Sequence, residues 1–219
     1  MRTVAIIPAL NEYERLQAVA VKVTEYVDAV LVIDDGSRTP LADHLTVHDK
    51  ITCVRHIINL GKGAALATGV AWAKKNNFDA VVFIDADGQH RPEEIPSLLK
   101  PLRENDADIV FGVRKFHASM PFVARMGNIF LTRAVQILFG VKVSDTQSGY
   151  RALRLSAADA IAWESPRYAV ETEMIVNTGK HRVRYAEVSI ETIYLDRYKG
   201  TTIIDGIRIL FSMIAWRFL

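Results

Sequence analysis

Short apolar runs of strand length alternate with longer helical patterns through the first half of the chain, and this alternation restricts the fold more than any other feature. The runs rich in β-branched residues are Val4–Ile7, Val30–Ile33, Ile51–Val54, Val81–Ile84 and Ile109–Phe111. The segments between them that are long enough for helices are Glu14–Val27, Gly63–Lys75 and Glu93–Arg103. This order predicts an α/β fold in which a mostly parallel sheet is covered by helices on both faces.

The composition is that of one globular domain over residues 1–219. Half of the 219 residues are hydrophobic, and the chain contains no internal repeat, low-complexity tract or linker. Its 27 basic and 25 acidic side chains nearly balance, whereas a protein that binds nucleic acid by neutralising phosphates is normally more basic. The single cysteine, Cys53, cannot form an intramolecular disulfide and favours a reducing compartment. We therefore predict a single domain with no nucleic-acid partner.

Two apolar segments in the second half, over residues 120–139 and 201–219, have the pattern of amphipathic helices. Each carries a narrow polar stripe at spacings of three and four, formed by Arg125, Asn128, Thr132 and Gln136 in the first and by Asp205, Arg208 and Ser212 in the second. We expect both helices to contact a membrane surface, the alternative being that they only pack on the sheet. Between them, Val183–Tyr194 predicts two short strands.

Neither a signal peptide nor a membrane-spanning segment is predicted. The first residues lack the length and the cleavage pattern of a secretory signal. No run of about 18 uncharged apolar residues occurs in the chain. Because Cys53 favours a reducing compartment and the two amphipathic helices favour a membrane surface, we expect the protein to lie peripherally on the cytoplasmic face of a membrane.

Polar residues directly follow four of the five apolar runs. Ligands of open parallel sheets bind outside the carboxyl ends of the strands. The segments that follow the runs are residues 8–12, 34–37, 85–90 and 112–114, and they carry carboxylates or a guanidinium. The sequence therefore predicts that the chemistry takes place at this edge of the sheet.

Asp85 and Asp87 form the most informative pair at this edge. Two carboxylates this close repel each other unless a cation neutralises them, and oxygen ligands favour Mg²⁺ or Mn²⁺, which often bridge carboxylates to phosphates. Gln89 adds a neutral oxygen two residues further on. The alternative is a solvated turn, because Asp and Gly are ordinary turn residues. The position after a buried run favours the metal and a nucleotide.

The remaining motifs leave alternatives open. Segment 34–37 is either a turn capped by its own side chains or a source of a carboxylate for a ribose or a base. Segment 59–63 lacks the spacing of a Walker phosphate loop, so its glycines predict a tight entry into a helix, with a role for Lys62 near a diphosphate left open. Asp145 either caps the following helix or points towards a sugar or an acceptor. Arg114, at a strand end, suits a phosphate.

These motifs, in this order, resemble family 2 glycosyltransferases of the GT-A (Rossmann-like) fold. Within that family the chain is most similar to the polyprenyl-phosphate branch, the dolichyl-phosphate mannose and glucose synthases. The segments that carry the resemblance are VAIIPALNE, VLVIDDGS, NLGKGAALATG, VFIDADGQHRPEEIP, IVFGVR, DTQSGYRAL and DRYKGTT, which together extend over nearly the whole chain.

The resemblance implies a role for each of several residues. The nucleoside pocket would be lined by Pro8, Leu10, Glu12, Ile33 and Asp35. The nucleotide sugar would be contacted by Asp85 and Ala86, and the divalent metal would be held by Asp87 and Gln89. The phosphates of donor and acceptor would be surrounded by Arg114, Arg125 and Arg197. Mannose synthases often carry a Ser-Lys pair shortly after the arginine matched by Arg197, and segment 199–203 lacks it, so the donor sugar stays open.

The expected activity is an inverting, Mg²⁺- or Mn²⁺-dependent sugar transfer that serves protein glycosylation. The donor would be a nucleotide sugar of the GDP-mannose or UDP-glucose type, and the acceptor would be the phosphate of a polyprenyl or dolichyl carrier. One alternative is a GT-A transferase that acts on a soluble sugar hydroxyl, for which Asp145 is the candidate base. The other alternative is a nucleotide-binding regulatory domain without catalysis.

Overall fold

The computed structural model describes residues 1–114, 122–166, 169–191, 193 and 203–218. The strands are β1 (Thr3–Ala9), β2 (Ala29–Asp34), β3 (Ile51–Arg55), β4 (Ala80–Phe83), β5 (Ile109–Arg114), β6 (Arg151–Arg154) and β7 (Tyr185–Ile190). The α-helices are α1 (Leu16–Val23), α2 (Lys62–Lys75), α3 (Ile95–Arg103), α4 (Phe122–Phe139), α5 (Val170–Lys180) and α6 (Ile203–Phe218). Short 3₁₀ helices cover Leu41–His44, Pro92–Glu94 and Leu155–Ala157.

The seven strands form one sheet in the order β3-β2-β1-β4-β6-β5-β7. All of them run parallel except β6, which lies between β4 and β5 and is antiparallel to both. The predicted mostly parallel α/β sheet is confirmed. Because β6 runs antiparallel to β4 and β5, the loop that leads into β6 lies at the sheet edge where those two strands end.

Two hydrophobic cores cover the two faces of the sheet, because successive side chains of a strand point to opposite faces. Val4 and Ile6 belong to the core that includes residues of α2, α4, α5 and α6. Ala5 and Ile7 belong to the core on the other face, with residues of α1 and α3. Burial on both faces explains why these strands are continuous apolar runs rather than alternating ones.

The helices α4 and α6 contact each other and the core beneath them. Leu131 and Val135 of α4 and Met213 of α6 are buried in that core. Over the described ranges, no helix combines the length and the apolarity needed to cross a membrane.

The second half of the chain differs from the prediction in two elements. Segment 145–151 was expected to be a polar loop that leads into a helix, but its last residue, Arg151, begins the strand β6. The two strands expected within Val183–Tyr194 correspond, in the described part of that segment, to the single strand β7. The helix α5, which follows the 3₁₀ turn after β6, was not predicted. β6 was missed because its sequence, Arg-Ala-Leu-Arg, has no apolar run.

Candidate active site

The carboxyl ends of the strands bring the predicted polar segments together. The backbone N–H of Asp35 donates to the carbonyl of Ala9, and the N–H of Asn11 donates to the Ser37 hydroxyl, so the loops after β1 and β2 are joined. Asp85 and Asp87 follow β4, the strand that lies next to β1 in the sheet. The predicted clustering of these segments at one edge is therefore present in the structure.

Asp34 serves the turn after β2. Its carboxylate is fully buried and accepts hydrogen bonds from the backbone N–H groups of Ser37 (2.8 Å) and Leu41 (3.1 Å). The Arg55 Nε atom lies 3.5 Å from the same carboxylate. For Asp34, the structure therefore gives the self-capped turn.

Asp35 holds the loop that precedes α2. Its Oδ1 atom accepts from the Leu60 N–H at 3.0 Å, and its Oδ2 atom accepts from the Gly61 N–H at 2.8 Å. His56 Nδ1 lies 2.8 Å from Oδ1, and His56 Nε2 lies 3.0 Å from the Thr68 hydroxyl. Because a carboxylate can only accept, Nδ1 carries the proton and Nε2 accepts from Thr68. We call this group, Asp35 with His56, Leu60, Gly61 and Thr68, the Asp35 clip.

A cluster of opposite charges lies beside β4. Lys62, at the start of α2, places its Nζ atom 2.6 Å from Asp85 Oδ1 and 2.8 Å from Glu171 Oε1. His90 Nε2 is 3.8 Å from Asp85 Oδ2. Gly149 packs directly against the cluster, since a Cβ atom there would lie 2.8 Å from both Asp85 Oδ2 and Lys62 Nζ. We call Lys62, Asp85 and Glu171 the charge triad.

The triad separates the protonation behaviour of the two aspartates. Burial opposes the ionisation of Asp85, but the Lys62 ammonium and His90 outweigh it and hold the pKa of Asp85 well below its usual range. Burial likewise opposes the charge on Lys62, and its two carboxylate partners raise the pKa of Lys62 above its usual value. For Asp87, burial and the charge of Asp85 both raise the pKa. Of the two aspartates, Asp87 is thus the one whose charge the protein compensates less well.

The donor set fits a divalent cation. In the triad and Asp87 together there are one ammonium and three carboxylates, and the pKa of Asp87 is raised by burial and by the charge of Asp85. The Gln89 backbone N–H donates to Asp87 Oδ1 at 3.0 Å, which fixes the loop that carries both predicted ligands. Among the described residues, no group of three or more His, Cys, Asp or Glu side chains is arranged to hold a metal by itself. A divalent cation held by Asp87 and Gln89 would therefore need further oxygen ligands, which Mg²⁺ usually takes from water or a phosphate.

Arg114 and Asp145 form a two-bond ion pair at the end of β5. Arg114 Nε donates to Asp145 Oδ2 at 2.6 Å, and one terminal nitrogen donates to Oδ1 at 2.9 Å. The backbone N–H of Gln147 also donates to Asp145 Oδ1, at 3.0 Å. Asp145 is only 1% exposed, so its carboxylate orients the guanidinium from inside the protein.

The residues predicted to line the nucleoside pocket differ in exposure. Leu10 is exposed at the end of β1, whereas Pro8 and Glu12 are half-buried there. Ala86 is buried behind the Asp85 loop. Ile33 is fully buried in the core and pairs with Pro8 in the register of β1 and β2, so any contact of Ile33 with a nucleoside would come from its backbone.

Two predicted arginines cannot be placed. The side chain of Arg125, in the first turn of α4, and all of Arg197 lie outside the described residues. The polar stripe of α4 is present further along the helix. Thr132 and Gln136 line an open groove of about 420 Å³ between α4, the segment that follows it, and β7.

Three residues at or beneath the site were not predicted from the sequence: His56, Arg151 and Glu171. His56 and Glu171 act through contacts with residues far away in the chain, and Arg151 lies in the unrecognised strand β6. A usable signal existed for Glu171, because an acid beside apolar residues in a helix is expected to have a buried partner. For His56 the sequence offers no such signal.

A mostly parallel sheet that gathers carboxylates and cations at the carboxyl ends of its strands is the architecture of α/β proteins that bind their ligands at that edge. The chain belongs to glycosyl transferase family 2, whose family model matches residues 4–162. It is therefore a glycosyltransferase, as the sequence predicted.

Curated relatives extend over most of the chain. An undecaprenyl-phosphate mannosyltransferase of Micrococcus luteus is 31% identical, over 94% of this chain and 88% of the relative. A UDP-N-acetylglucosamine–dolichyl-phosphate N-acetylglucosaminyltransferase of Methanococcus voltae is 28% identical, over 95% of this chain and 93% of the relative. The predicted similarity to polyprenyl-phosphate sugar synthases is confirmed by these relatives.

A solved structure shows the same fold. Glucosyl-3-phosphoglycerate synthase from Mycobacterium tuberculosis, in complex with Mn²⁺, UDP and phosphoglyceric acid, has a TM-score of 0.77 at 19% identity. The match covers 99% of this chain and 78% of that chain. The predicted GT-A fold class is therefore confirmed.

Proposed function

We propose that this protein transfers a sugar, with inversion, from a nucleotide sugar to the phosphate of a polyprenyl or dolichyl carrier. The two relatives described above each match most of this chain, and their names support a polyprenyl-phosphate acceptor. One of those names specifies a UDP sugar and the other a mannosyl group, so the donor is proposed as a class, UDP- or GDP-linked.

The state of Asp145 is the observation that carries the choice of acceptor. A sugar hydroxyl needs a base to accept its proton during attack, and Asp145 was the candidate for that role. In the structure this carboxylate is buried and engaged by Arg114 and Gln147. A phosphate needs no base, since its second pKa is about 6 and it is already an anionic nucleophile at neutral pH.

The donor is proposed to bind across the ends of β1, β2 and β4. Leu10 would border the nucleoside, the Asp35 clip would hold the loop beside it, and the charge triad would flank the sugar and diphosphate. Asp87 and Gln89 would hold Mg²⁺ or Mn²⁺, which when bound supplies positive charge to the departing diphosphate. Arg114, oriented by Asp145, would add a second cation at the phosphates, and Arg125 and Arg197 are proposed to join it.

The enzyme is proposed to work peripherally on the cytoplasmic face of a membrane, in protein glycosylation. Both α4 and α6 bury one side in the core and expose large apolar residues on the other. The exposed fractions are 58% for Phe130, 81% for Ile137 and 68% for Phe211. Such two-sided helices suit a position at the level of the lipid headgroups, where the carrier phosphate lies.

An acceptor competition tests the proposal. Purified protein with Mn²⁺ is incubated with radiolabelled UDP- or GDP-sugars and is offered a polyprenyl phosphate, a sugar hydroxyl acceptor, or 3-phosphoglycerate. Label that partitions into organic solvent only with the polyprenyl phosphate is the expected result. Transfer to either soluble acceptor, with none to the lipid, would replace the lipid carrier by a soluble one.

A further inference from the structure

Arg151, the first residue of β6, is the largest fully buried side chain of the described residues. Its guanidinium donates to three backbone carbonyls, those of Ser148 (Nε, 2.9 Å), Glu171 (2.6 Å) and Thr146 (3.3 Å). It also lies 5.0 Å from the centre of the Phe111 ring. A guanidinium is suited to this position because its planar fork can reach several acceptors at once.

Each of the three carbonyls belongs to a segment that carries part of the site. Thr146 follows Asp145, the carboxylate that orients Arg114. Ser148 precedes Gly149, the residue packed against the charge triad. Glu171 is itself a member of the triad. One buried side chain therefore connects the two groups of charges that stand on either side of β6.

The electrostatic setting agrees with such a role. Burial lowers the pKa of the Arg151 guanidinium to about 10, although three nearby carboxylates oppose the shift, so the group is a cation at neutral pH. Those carboxylates are Glu171, Asp145 and Asp85. The arginine thus also supplies buried positive charge beneath an acidic site.

We propose that Arg151 is a positioning residue that sets the distance between the charge triad and the Arg114–Asp145 pair. Arg151 holds the backbone on both sides of β6, and it thereby fixes the position of the charge triad relative to the Arg114 guanidinium. This inference rests on the proposed function, because its consequence is the alignment of donor and acceptor phosphates. Arg151 itself touches neither of them.

Arg154, at the other end of the same strand, provides a matched control. It donates to the carbonyl of Leu102 and lies 3.5 Å from Asp108, so it too ties a strand to neighbouring segments. In the antiparallel register, Arg151 pairs with Phe83 at the end of β4, whereas Arg154 pairs with Ala80 at its start. The two arginines are about 10 Å apart along the strand.

The test compares Arg151→Met and Arg151→Lys with Arg154→Met and Arg154→Lys. Steady-state transfer and the affinity for UDP or GDP with Mn²⁺ are measured at a temperature where circular dichroism shows each variant folded. We expect Arg151→Met to lose at least about tenfold in kcat/KM relative to Arg154→Met. Arg151→Lys should recover part of the loss, because an ammonium keeps the charge but cannot reach three carbonyls.

Two outcomes separate this inference from the proposed function. If Arg151→Met is insoluble, the lysine pair carries the same comparison, with Arg151→Lys expected below Arg154→Lys. Arg151 variants within about twofold of their Arg154 counterparts in both transfer and nucleotide affinity overturn the positioning role. A wild-type protein that transfers no sugar overturns the proposed function instead, and nucleotide affinity then decides the role of Arg151.

Discussion

Single residues set the charge balance of the site, and Asp87 is the one whose substitution measures it most directly. The pKa of Asp87 is raised, so the folded state binds a proton more tightly than the unfolded state does. Its contribution to stability is therefore lost as the pH rises from the unfolded-state pKa through the folded-state pKa. We expect Asp87→Asn to keep or raise the Tm at pH 7 without metal, because the substitution removes a carboxylate that burial and Asp85 disfavour.

Metal addition completes this test. A ligand that binds only the folded state raises the Tm, so Mn²⁺ should stabilise the wild type and not Asp87→Asn. Turnover should be lost in the variant and in wild-type protein treated with EDTA. Equal stabilisation of both proteins by Mn²⁺ would remove Asp87 from the metal site.

Gly149 tests the charge triad by bulk rather than by charge. A Cβ atom there would lie 2.8 Å from Asp85 Oδ2 and Lys62 Nζ, so Gly149→Ala must push the ion pair apart. We expect kcat/KM to fall by at least about tenfold with the fold retained. Gly127→Ala in α4 is the control, because nothing lies within 4 Å of its added Cβ. This substitution should stabilise the helix by about 0.5–1 kcal/mol. Equal activity of the two variants would contradict the triad's role.

At the level of elements, the sequence was most informative where burial made it simple. All five predicted strands of the first half exist. Four of them are buried on both faces and therefore need a continuous apolar run such as Val81–Ile84, whereas the edge strand β3 is only partly buried. β6 shows the limit of that rule. The buried Arg151 donates to carbonyls of Thr146 and Glu171, which lie outside the strand. The local residue pattern of β6 cannot predict such partners.

The site could be predicted in its location but not in its connections. The strand-end rule placed Asp85 and Asp87 correctly at one edge. It could not show that Lys62 neutralises Asp85, because that contact depends on how α2 and α5 pack against β4. From the sequence, a metal ion was expected to neutralise both Asp85 and Asp87. In the structure the Lys62 ammonium neutralises Asp85, whereas the pKa of Asp87 is raised.

The loop between β3 and α2 is the element on which the Asp35 clip acts. His56→Leu removes one hydrogen bond to a charged acceptor, an interaction of about 1.5–3 kcal/mol, and leaves the two backbone donors in place. We expect the KM for the nucleotide sugar to rise about tenfold while kcat changes less, since the proposed donor site, and not the proposed acceptor site, borders this loop. His56→Asn, whose amide can still donate to Asp35, should recover part of the affinity. A fall in kcat with an unchanged KM would contradict this.

For the whole molecule, the proposed contact with a membrane rests on the exposed apolar residues of α4 and α6. Phe130 and Ile137 of α4 and Phe211 of α6 are exposed, while the opposite sides of both helices are in the core. Removing residues 203–219 would also remove Met213 from that core. Point substitutions on the exposed side are therefore the cleaner test of membrane contact.

We expect the wild type to float with anionic vesicles and the double variant Phe130→Ser, Phe211→Ser to stay unbound. Full burial of a phenylalanine contributes about 1.5–3 kcal/mol, so each substitution should weaken partitioning by about tenfold or more. Ile57→Ser is the matched control, because Ile57 is 97% exposed but follows β3, at the opposite edge of the sheet from β7. It should float as the wild type does. Transfer to a long-chain polyprenyl phosphate in vesicles should fall with flotation, while transfer to a short, water-soluble polyprenyl phosphate should not. A wild type that remains unbound, or a double variant that floats unchanged, would contradict the assignment of α4 and α6 to the membrane surface.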